Sequence, residues 1–199
     1  MNRRKYLGSL AGGAAAAVAL AGCTALGSET ALTVSEQKDR HGTDLLFSDG
    51  DGSVLGVVFQ RHFRNDDARR HYPIEIRATS QRSGIRISSI RYSFRPPPNS
   101  GGFSPAGISL NEDGHAHLAD LRRKSDDPST TVIELSDFED VYGDGTLVLK
   151  ILAADEAARQ PQGLWVRVES TLESDGLSGE QYTAGGETTL TLAEPADDG

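Results

Sequence analysis

The sequence contains a single cysteine, Cys23, so the chain cannot form an intramolecular disulfide. Small domains in oxidising compartments often depend on disulfides, whereas this chain must be stabilised by its core alone. Lysine is also scarce, since only Lys38, Lys124 and Lys150 follow residue 22. No long stretch repeats apolar residues with a period near 3.6, which excludes a helical bundle.

The sequence also lacks the motifs of common enzyme classes. Residues 102–107 have the wrong spacing for a Gly-x-Ser-x-Gly elbow, and neither a His-Glu-x-x-His motif nor a phosphate-binding glycine loop occurs. The 29 acidic residues offer too many carboxylate pairs for one to be singled out as catalytic. No catalytic residue is therefore predicted, and an unrecognised hydrolase is the weakest of the alternative functions.

The charge balance excludes nucleic acid as a partner. Arg3, Arg4 and Lys5 are the only cations before Cys23, so residues 23–199 contain 17 of the 20 Lys and Arg but all 29 Asp and Glu, a net charge of −12. Phosphate binding needs a basic face. An acidic surface that is poor in lysine is instead typical of a protein exposed to concentrated salt, which screens carboxylate repulsion.

The first residues have the pattern of an export signal. Three cations are followed by roughly fifteen small or apolar residues, as in a secretory signal, and this stretch is short for a transmembrane helix. The run Arg3-Arg4-Lys5-Tyr6-Leu7 resembles the twin-arginine translocation motif. That resemblance implies export of the folded domain.

The next four-residue motif indicates how the exported chain is held. Leu20-Ala21-Gly22-Cys23 resembles the lipobox of bacterial and archaeal lipoproteins, which implies a two-chain lipid on Cys23 and stable anchoring to the outer face of the cell membrane. With the acidic composition, the segment resembles those of haloarchaeal surface lipoproteins. We expect a signal peptide at residues 1–22, a lipidated cysteine and flexible tether at 23–30, one domain at 31–193 and an acidic disordered tail at 194–199.

The domain is predicted to consist of β-strands. Ile90, Tyr92 and Phe94 alternate with polar residues, a period of two with one apolar face. A change of phase at Ser88-Ser89 predicts a β-bulge. Strands are predicted around residues 85–95 and 164–169 and at Leu32–Glu36, Asp44–Phe47, Val54–Phe63, Ile74–Ser80, Thr130–Leu135, Thr146–Ala153 and Thr188–Leu192.

Turn-forming residues separate these strands. The glycine-containing turns are predicted at 49–52, 99–102, 113–114, 143–145, 175–176 and 185–186. Only Ala154–Arg159 has the composition of a short helix. Many short strands with frequent turns predict an all-β, antiparallel sandwich, and we expect an immunoglobulin-like one without the disulfide.

Two segments are candidate metal sites. Asp49-Gly50-Asp51-Gly52 resembles a calcium loop, but positions 5, 6 and 12 counted from Asp49 do not fit an EF-hand. A looser site would need Asp140 or Asp144 from another loop. The more ordinary interpretation of this segment is an acidic hairpin turn.

His115 and His117 form the second candidate. An extended segment would place both imidazoles on one face, where a third ligand would complete a zinc or copper site. The more ordinary interpretation is a pair of solvent-exposed histidines.

The sequence thus predicts a membrane-anchored extracytoplasmic lipoprotein whose β-sandwich binds an envelope protein or glycan without catalysing a reaction. The alternative is a lipoprotein that binds a metal or small solute. No cofactor is predicted apart from the lipid on Cys23, and a divalent metal belongs to the alternative.

Overall fold

The computed structural model describes residues 29–38, 42–61, 71–95, 105–136, 138, 146–155, 163–175 and 179–191. Within these residues the chain is almost entirely β-strand, arranged as two six-stranded sheets. The predicted all-β, antiparallel sandwich is confirmed. Twelve strands in the described part of the chain exceed the seven to nine of an immunoglobulin domain.

The chain passes several times between the two sheets, and β2 to β5 follow one another in the same sheet. Sheet A has the order β1-β12-β11-β6-β9-β8, and sheet B the order β2-β3-β4-β5-β10-β7. In the part of the chain that the structure describes, β1 pairs with β12 in parallel and the other strand pairings are antiparallel. The strands are β1 (Glu29–Ala31), β2 (Thr33–Lys38), β3 (Gly42–Ser48), β4 (Ser53–Arg61), β5 (His71–Ser80), β6 (Ile85–Arg95), β7 (Pro105–Gly114), β8 (Ala119–Arg123), β9 (Thr131–Ser136), β10 (Thr146–Asp155), β11 (Leu164–Ser174) and β12 (Gln181–Leu190).

The core lies between the sheets and follows the predicted alternation. Tyr92 of sheet A meets Phe59 of sheet B edge-to-face, with ring centroids 6.3 Å apart. Both rings are buried, and burial raises the pKa of the Tyr92 phenol. The strand predicted at Val54–Phe63 corresponds to β4, which lies third in sheet B and buries Val54, Leu55 and Val57.

The bulge predicted at Ser88-Ser89 is confirmed. Thr171 pairs with Ser89 while Leu172 pairs with Ile87, so Ser88 is the extra residue. Its hydroxyl donates to the carbonyl of Thr171 at 3.2 Å. The bulge restores the inward phase of the following Ile90, which is buried.

The prediction of a turn at Gly185-Gly186 is wrong, because both residues lie inside β12. A Cβ on Gly186 would lie 3.0 Å from the Phe47 ring and 3.0 Å from Val34, whereas one on Gly185 would meet nothing within 4 Å. Glycine is therefore needed at 186 for close packing between the sheets and not for a turn.

The predicted helix at Ala154–Arg159 is also corrected. Ala154 and Asp155 are the last residues of β10, where they pair with β7 and Ala154 also pairs with β5. At these two residues, pairing with the neighbouring strands outweighs the local helix propensity. The rest of that segment lies outside the described residues.

The two ends of the sandwich differ in their connections. The end that we call the turn end contains tight turns at 49–52, 81–84 and 115–118. The start of β1 also lies there, because Glu29 pairs with Gln181 and Gln181 pairs with Glu173 at the finish of β11. The opposite end, the far end, contains the strand pairs Arg95–Trp165 and Arg123–Thr131. β4, β6 and β10 end at the far end, and β5, β7 and β11 begin there.

Candidate functional site

Both segments that the sequence singled out as metal sites lie at the turn end. Asp49 and Asp51 follow β3, and His115 follows β7, next to the start of β10. Asp140, Asp144, Arg3, Arg4 and Cys23 lie outside the described residues. Within the described part of the chain, no three His, Cys, Asp or Glu side chains are grouped so as to hold a metal ion.

The carboxylate of Asp49 is occupied by an arginine. Arg82 donates from its two terminal nitrogens to the two Asp49 oxygens at 2.6 and 2.9 Å, and the backbone N–H of Asp51 donates to the same carboxylate at 3.0 Å. These contacts, led by the Arg82 hydrogen bonds, lower the pKa of Asp49 to about 2. A calcium ion at Asp49 would have to displace a bidentate guanidinium.

The same cluster joins the two sheets at the turn end. Arg82 connects β5 to β6, and the Tyr182 hydroxyl of β12 donates to Glu180 at 3.0 Å. This hydrogen bond, with the burial of the phenol, raises the pKa of Tyr182. The contacts tie the β3–β4 hairpin to the β5–β6 turn and fix the start of β12, which is a structural role.

His115 and His117 are not in an extended segment, contrary to expectation. His115 is in a turn, and residues Ala116–Leu118 form a 3-10 helix, with the imidazole centroids 6.4 Å apart. The chain turns here because it crosses from the edge of sheet B to the edge of sheet A.

The His115 ring forms a hydrogen bond with the backbone. Its Nδ1 accepts a hydrogen bond from the N–H of Val148 at 2.9 Å. The neutral ring then carries its proton on Nε2, so neither nitrogen offers a free lone pair to a metal. Glu112 and Asp113 lie in β7, and their side chains are outside what the structure describes.

The outer face of sheet A carries a continuous row of ion pairs, which we call the charge ladder. It crosses five strands with alternating signs and contains four carboxylates and three arginines. Its members are Asp120, Arg122, Glu134, Arg91, Glu169, Arg167 and Glu187, with N–O distances from 2.7 to 3.9 Å. The ladder neutralises most of its own charge, so this part of the face offers no strong field to a charged ligand.

Beyond the ladder, toward the far end, the same face carries a different pair. Arg95 of β6 lies over the indole of Trp165 of β11, with the guanidinium carbon 3.8 Å from the ring centroid. Both side chains are half-buried, and Trp165 is the one tryptophan of the sequence. A cation held against an aromatic face in this way is both oriented and partly desolvated.

Arg95 differs from the other arginines in its electrostatic partners. Six described arginines have carboxylate partners: Arg77, Arg82, Arg86, Arg91, Arg122 and Arg167. Within the part of the chain that the structure describes, Arg95 has no ion pair, and its Nε is buried without a hydrogen-bond acceptor. Among the described residues, the far end of sheet A therefore presents a cation that lies on an aromatic ring and has no carboxylate partner.

Sequence reasoning did not single out Arg95 and Trp165. The alternation of both strands places each of them on the polar face, which was visible in the sequence. Their contact depends on the register between β6 and β11, which joins residues seventy positions apart and has no local signal.

The fold and this face define a β-sandwich domain with a side-chain platform on one sheet. Residues 28–194 match a family described as a domain of unknown function, DUF8121, and the chain belongs to that family. No curated protein matches the chain.

Solved structures with related β-folds are distant. The human F-spondin reeler domain has 6% identity and a TM-score of 0.40, with 85% of this chain and 96% of that chain covered. A DUF4466 family protein from Parabacteroides merdae has 13% identity and a TM-score of 0.34, covering 69% and 44%. The yeast delta-COP-I mu-homology domain has 8% identity and a TM-score of 0.37, covering 67% and 54%. Similarities of this size do not indicate what the chain binds.

Proposed function

We propose that the chain is a lipid-anchored, extracytoplasmic binding protein without catalytic activity. A lipid on Cys23 holds it on the outer face of the cell membrane, after export directed by Arg3 and Arg4. The β-sandwich then presents the far end to an envelope protein or glycan. The observation that carries this proposal is the position of β1, whose first residue lies at the turn end.

The length of the tether supports this orientation. Glu29 follows Cys23 by six residues, which span at most about 20 Å when fully extended. β6 and β11 have 11 residues each, a length of about 35 Å. With Cys23 in the membrane, the turn end stays close to the lipid surface, and the far end with Arg95 and Trp165 points outward.

The described residues favour this proposal over the metal-binding alternative. Asp49 is paired with Arg82, and His115 accepts a backbone hydrogen bond. Among the described residues, no helix is long and apolar enough to cross a membrane. Anchoring in the proposal depends on the lipid.

The anchor is tested by the mass of the N-terminal peptide of protein taken from native membranes. We expect a peptide that begins at Cys23 and carries the added mass of a two-chain lipid. A Cys23→Ser variant should appear in the medium. An unmodified N-terminus at another residue, on protein in the medium, would refute the anchor.

The orientation is tested with two matched cysteine variants. Ser83 lies in an exposed turn at the turn end, and Ser125 lies in an exposed segment that follows β8 at the far end. Because the Cys23 thiol is consumed by the lipid, Ser83→Cys and Ser125→Cys each provide one free thiol for a fluorophore. We expect quenchers in the lipid headgroups to quench the label at 83 more strongly than the label at 125. Equal quenching, or the reverse order, would contradict the proposed orientation.

A further inference from the structure

The surroundings of Trp165 restrict how a ligand can be recognised there. Trp165 pairs with Arg95 of β6 on one side and with Thr189 of β12 on the other, so its strand is interior to sheet A. The backbone of an interior strand is already hydrogen-bonded on both sides. An extended peptide therefore cannot add to the sheet at this place, and recognition must use side chains.

The side chains on this face combine three chemical features. Arg95 supplies a positive charge that has no carboxylate partner among the described residues, and it covers one face of the Trp165 indole, so the rest of that half-buried ring is the aromatic surface left for a ligand. Ser93 lies two residues before Arg95 on β6, and Thr189 of β12 pairs with Trp165. Both lie on this face of the sheet and supply hydroxyls. A cation, an aromatic surface and hydroxyls together fit a ring that has apolar C–H groups, hydroxyls and an acidic substituent.

Charge complementarity selects an acidic ligand over a neutral one. The guanidinium of Arg95 has a fixed planar set of donors and cannot lose its charge at physiological pH. Its contact with the indole holds it in place, so fewer rotamers are lost when an anion binds. The arginines of the adjoining charge ladder are paired with its carboxylates. Among the described residues of this face, Arg95 is therefore the cation that is available to bind an anion.

We propose that Arg95 and Trp165 form a subsite for an acidic sugar residue of a glycan, in which Arg95 binds the acidic group and the part of the Trp165 indole that Arg95 leaves uncovered packs against the sugar ring. The inference rests on the proposed function, because it names the ligand class of the outward-facing surface. It places the subsite on the outer face of sheet A, away from the Asp49 and His115 segments.

The single tryptophan provides the assay. Intrinsic fluorescence of the full chain with Cys23→Ser is titrated with trigalacturonic acid, with a neutral galactose trisaccharide and with a triglutamate peptide, in concentrated KCl. We expect the uronate to change the Trp165 emission saturably, and the neutral sugar and the peptide to bind at least about tenfold more weakly, as loss of one charged hydrogen-bonding partner implies.

Variants of the two arginines on β6 make the test specific. Arg95→Gln should weaken uronate binding about tenfold or more, while Arg91→Gln, which removes the same charge from the same strand and face, should leave it unchanged. Near-ultraviolet circular dichroism confirms folding of each variant. If Arg95→Gln does not fold, Arg95→Lys keeps the charge without the planar guanidinium and should weaken binding by a smaller factor.

The outcomes separate this inference from the proposed function. Equal binding of the uronate and the neutral sugar, tighter binding of the peptide, equal effects of the Arg91 and Arg95 variants, or no response to the uronate would each overturn the acidic-sugar subsite. A lipidated Cys23 together with any of these results would sustain the anchor while removing this ligand. Uronate binding by a chain with an unmodified Cys23 would sustain the subsite and refute the anchor.

Discussion

Two adjacent glycines in β12 provide a sharp test of how the sheets pack. Gly185 and Gly186 point to opposite faces of sheet A, and neither has a positive φ. A Cβ at 185 meets nothing within 4 Å, whereas a Cβ at 186 lies 3.0 Å from Phe47 and 3.0 Å from Val34. The same substitution to alanine should therefore have opposite effects at the two positions.

The expected magnitudes follow from the two environments. Gly185→Ala should stabilise the protein by about 0.4–1 kcal/mol, because alanine reduces the conformational freedom of the unfolded chain. Gly186→Ala has the same effect on the unfolded chain, but overpacking against Phe47 costs about 1–3 kcal/mol. The unfolded-state contributions cancel between the variants, so the difference of about 1–3 kcal/mol reports native packing. For a chain of this size it corresponds to about 2–12 °C in Tm.

The assay is thermal and denaturant unfolding of both variants and the parent chain in the same concentrated KCl buffer. We expect the order Gly185→Ala, parent, Gly186→Ala in decreasing Tm, with an unchanged dependence on denaturant. Equal stabilisation by both variants would show that residue 186 is not packed between the sheets. Equal destabilisation would show that residue 185 is not open, and either result would refute the register of β12.

Three further predictions concern the turn end and the ladder. The pKa of Asp49 is lowered from 3.8 to about 2, so its pairing with Arg82 contributes stability above about pH 3.8 that is lost as the pH falls toward 2. The Tm of the parent should fall in that window, and Arg82→Gln should flatten this dependence of Tm on pH. His115→Ala should cost about 1–3 kcal/mol of stability, because it leaves the Val148 N–H unsatisfied, whereas His117→Ala should change stability by less than about 0.5 kcal/mol. Added zinc should not change the Tm of the parent. A zinc-dependent rise in Tm that both variants abolish would contradict this prediction. Glu134→Gln should cost about 0.5–1 kcal/mol at low salt and less at 1 M, because the ladder is screened; a loss that grows with salt would count against the ladder.

The apolar phase of the interior strands was predictable, and so was the edge strand β2, but the edge strands β7 and β8 were not predicted. β3 and β11 each bury every second residue, whereas the interior strand β4, which is apolar on both faces, buries Val54, Leu55 and Val57. β8 was missed because it is an edge strand with mostly exposed residues, including Leu121. Short, polar strands are one way in which proteins protect a sheet edge, and the sequence of such a strand lacks the alternation that identifies an interior strand.

The candidate sites show the same limit in their side chains. The turn at Asp49–Gly52 could be predicted from its residue types, but its partner Arg82 comes from a turn 33 residues away. That partner decides whether Asp49 is a free ligand or half of an ion pair. The contact of Arg95 with Trp165 likewise depends on strand order in sheet A. Pairing between distant strands is fixed by the whole core, which no single segment encodes.

Concentrated salt restricts the type of binding site that suits this surface. At 1 M salt the Debye length is about 3 Å, so attraction between exposed charges acts only at contact. A ligand steered by a broad field would be lost there, and the net charge of −12 after residue 22 would repel an acidic ligand at low salt. Contact of a sugar ring with Trp165 does not depend on screening, and the half-buried Arg95 binds at short range. Uronate affinity should therefore change less than about tenfold between 0.5 and 3 M KCl and fall at low salt; a steep decrease with rising salt would indicate field-driven binding instead.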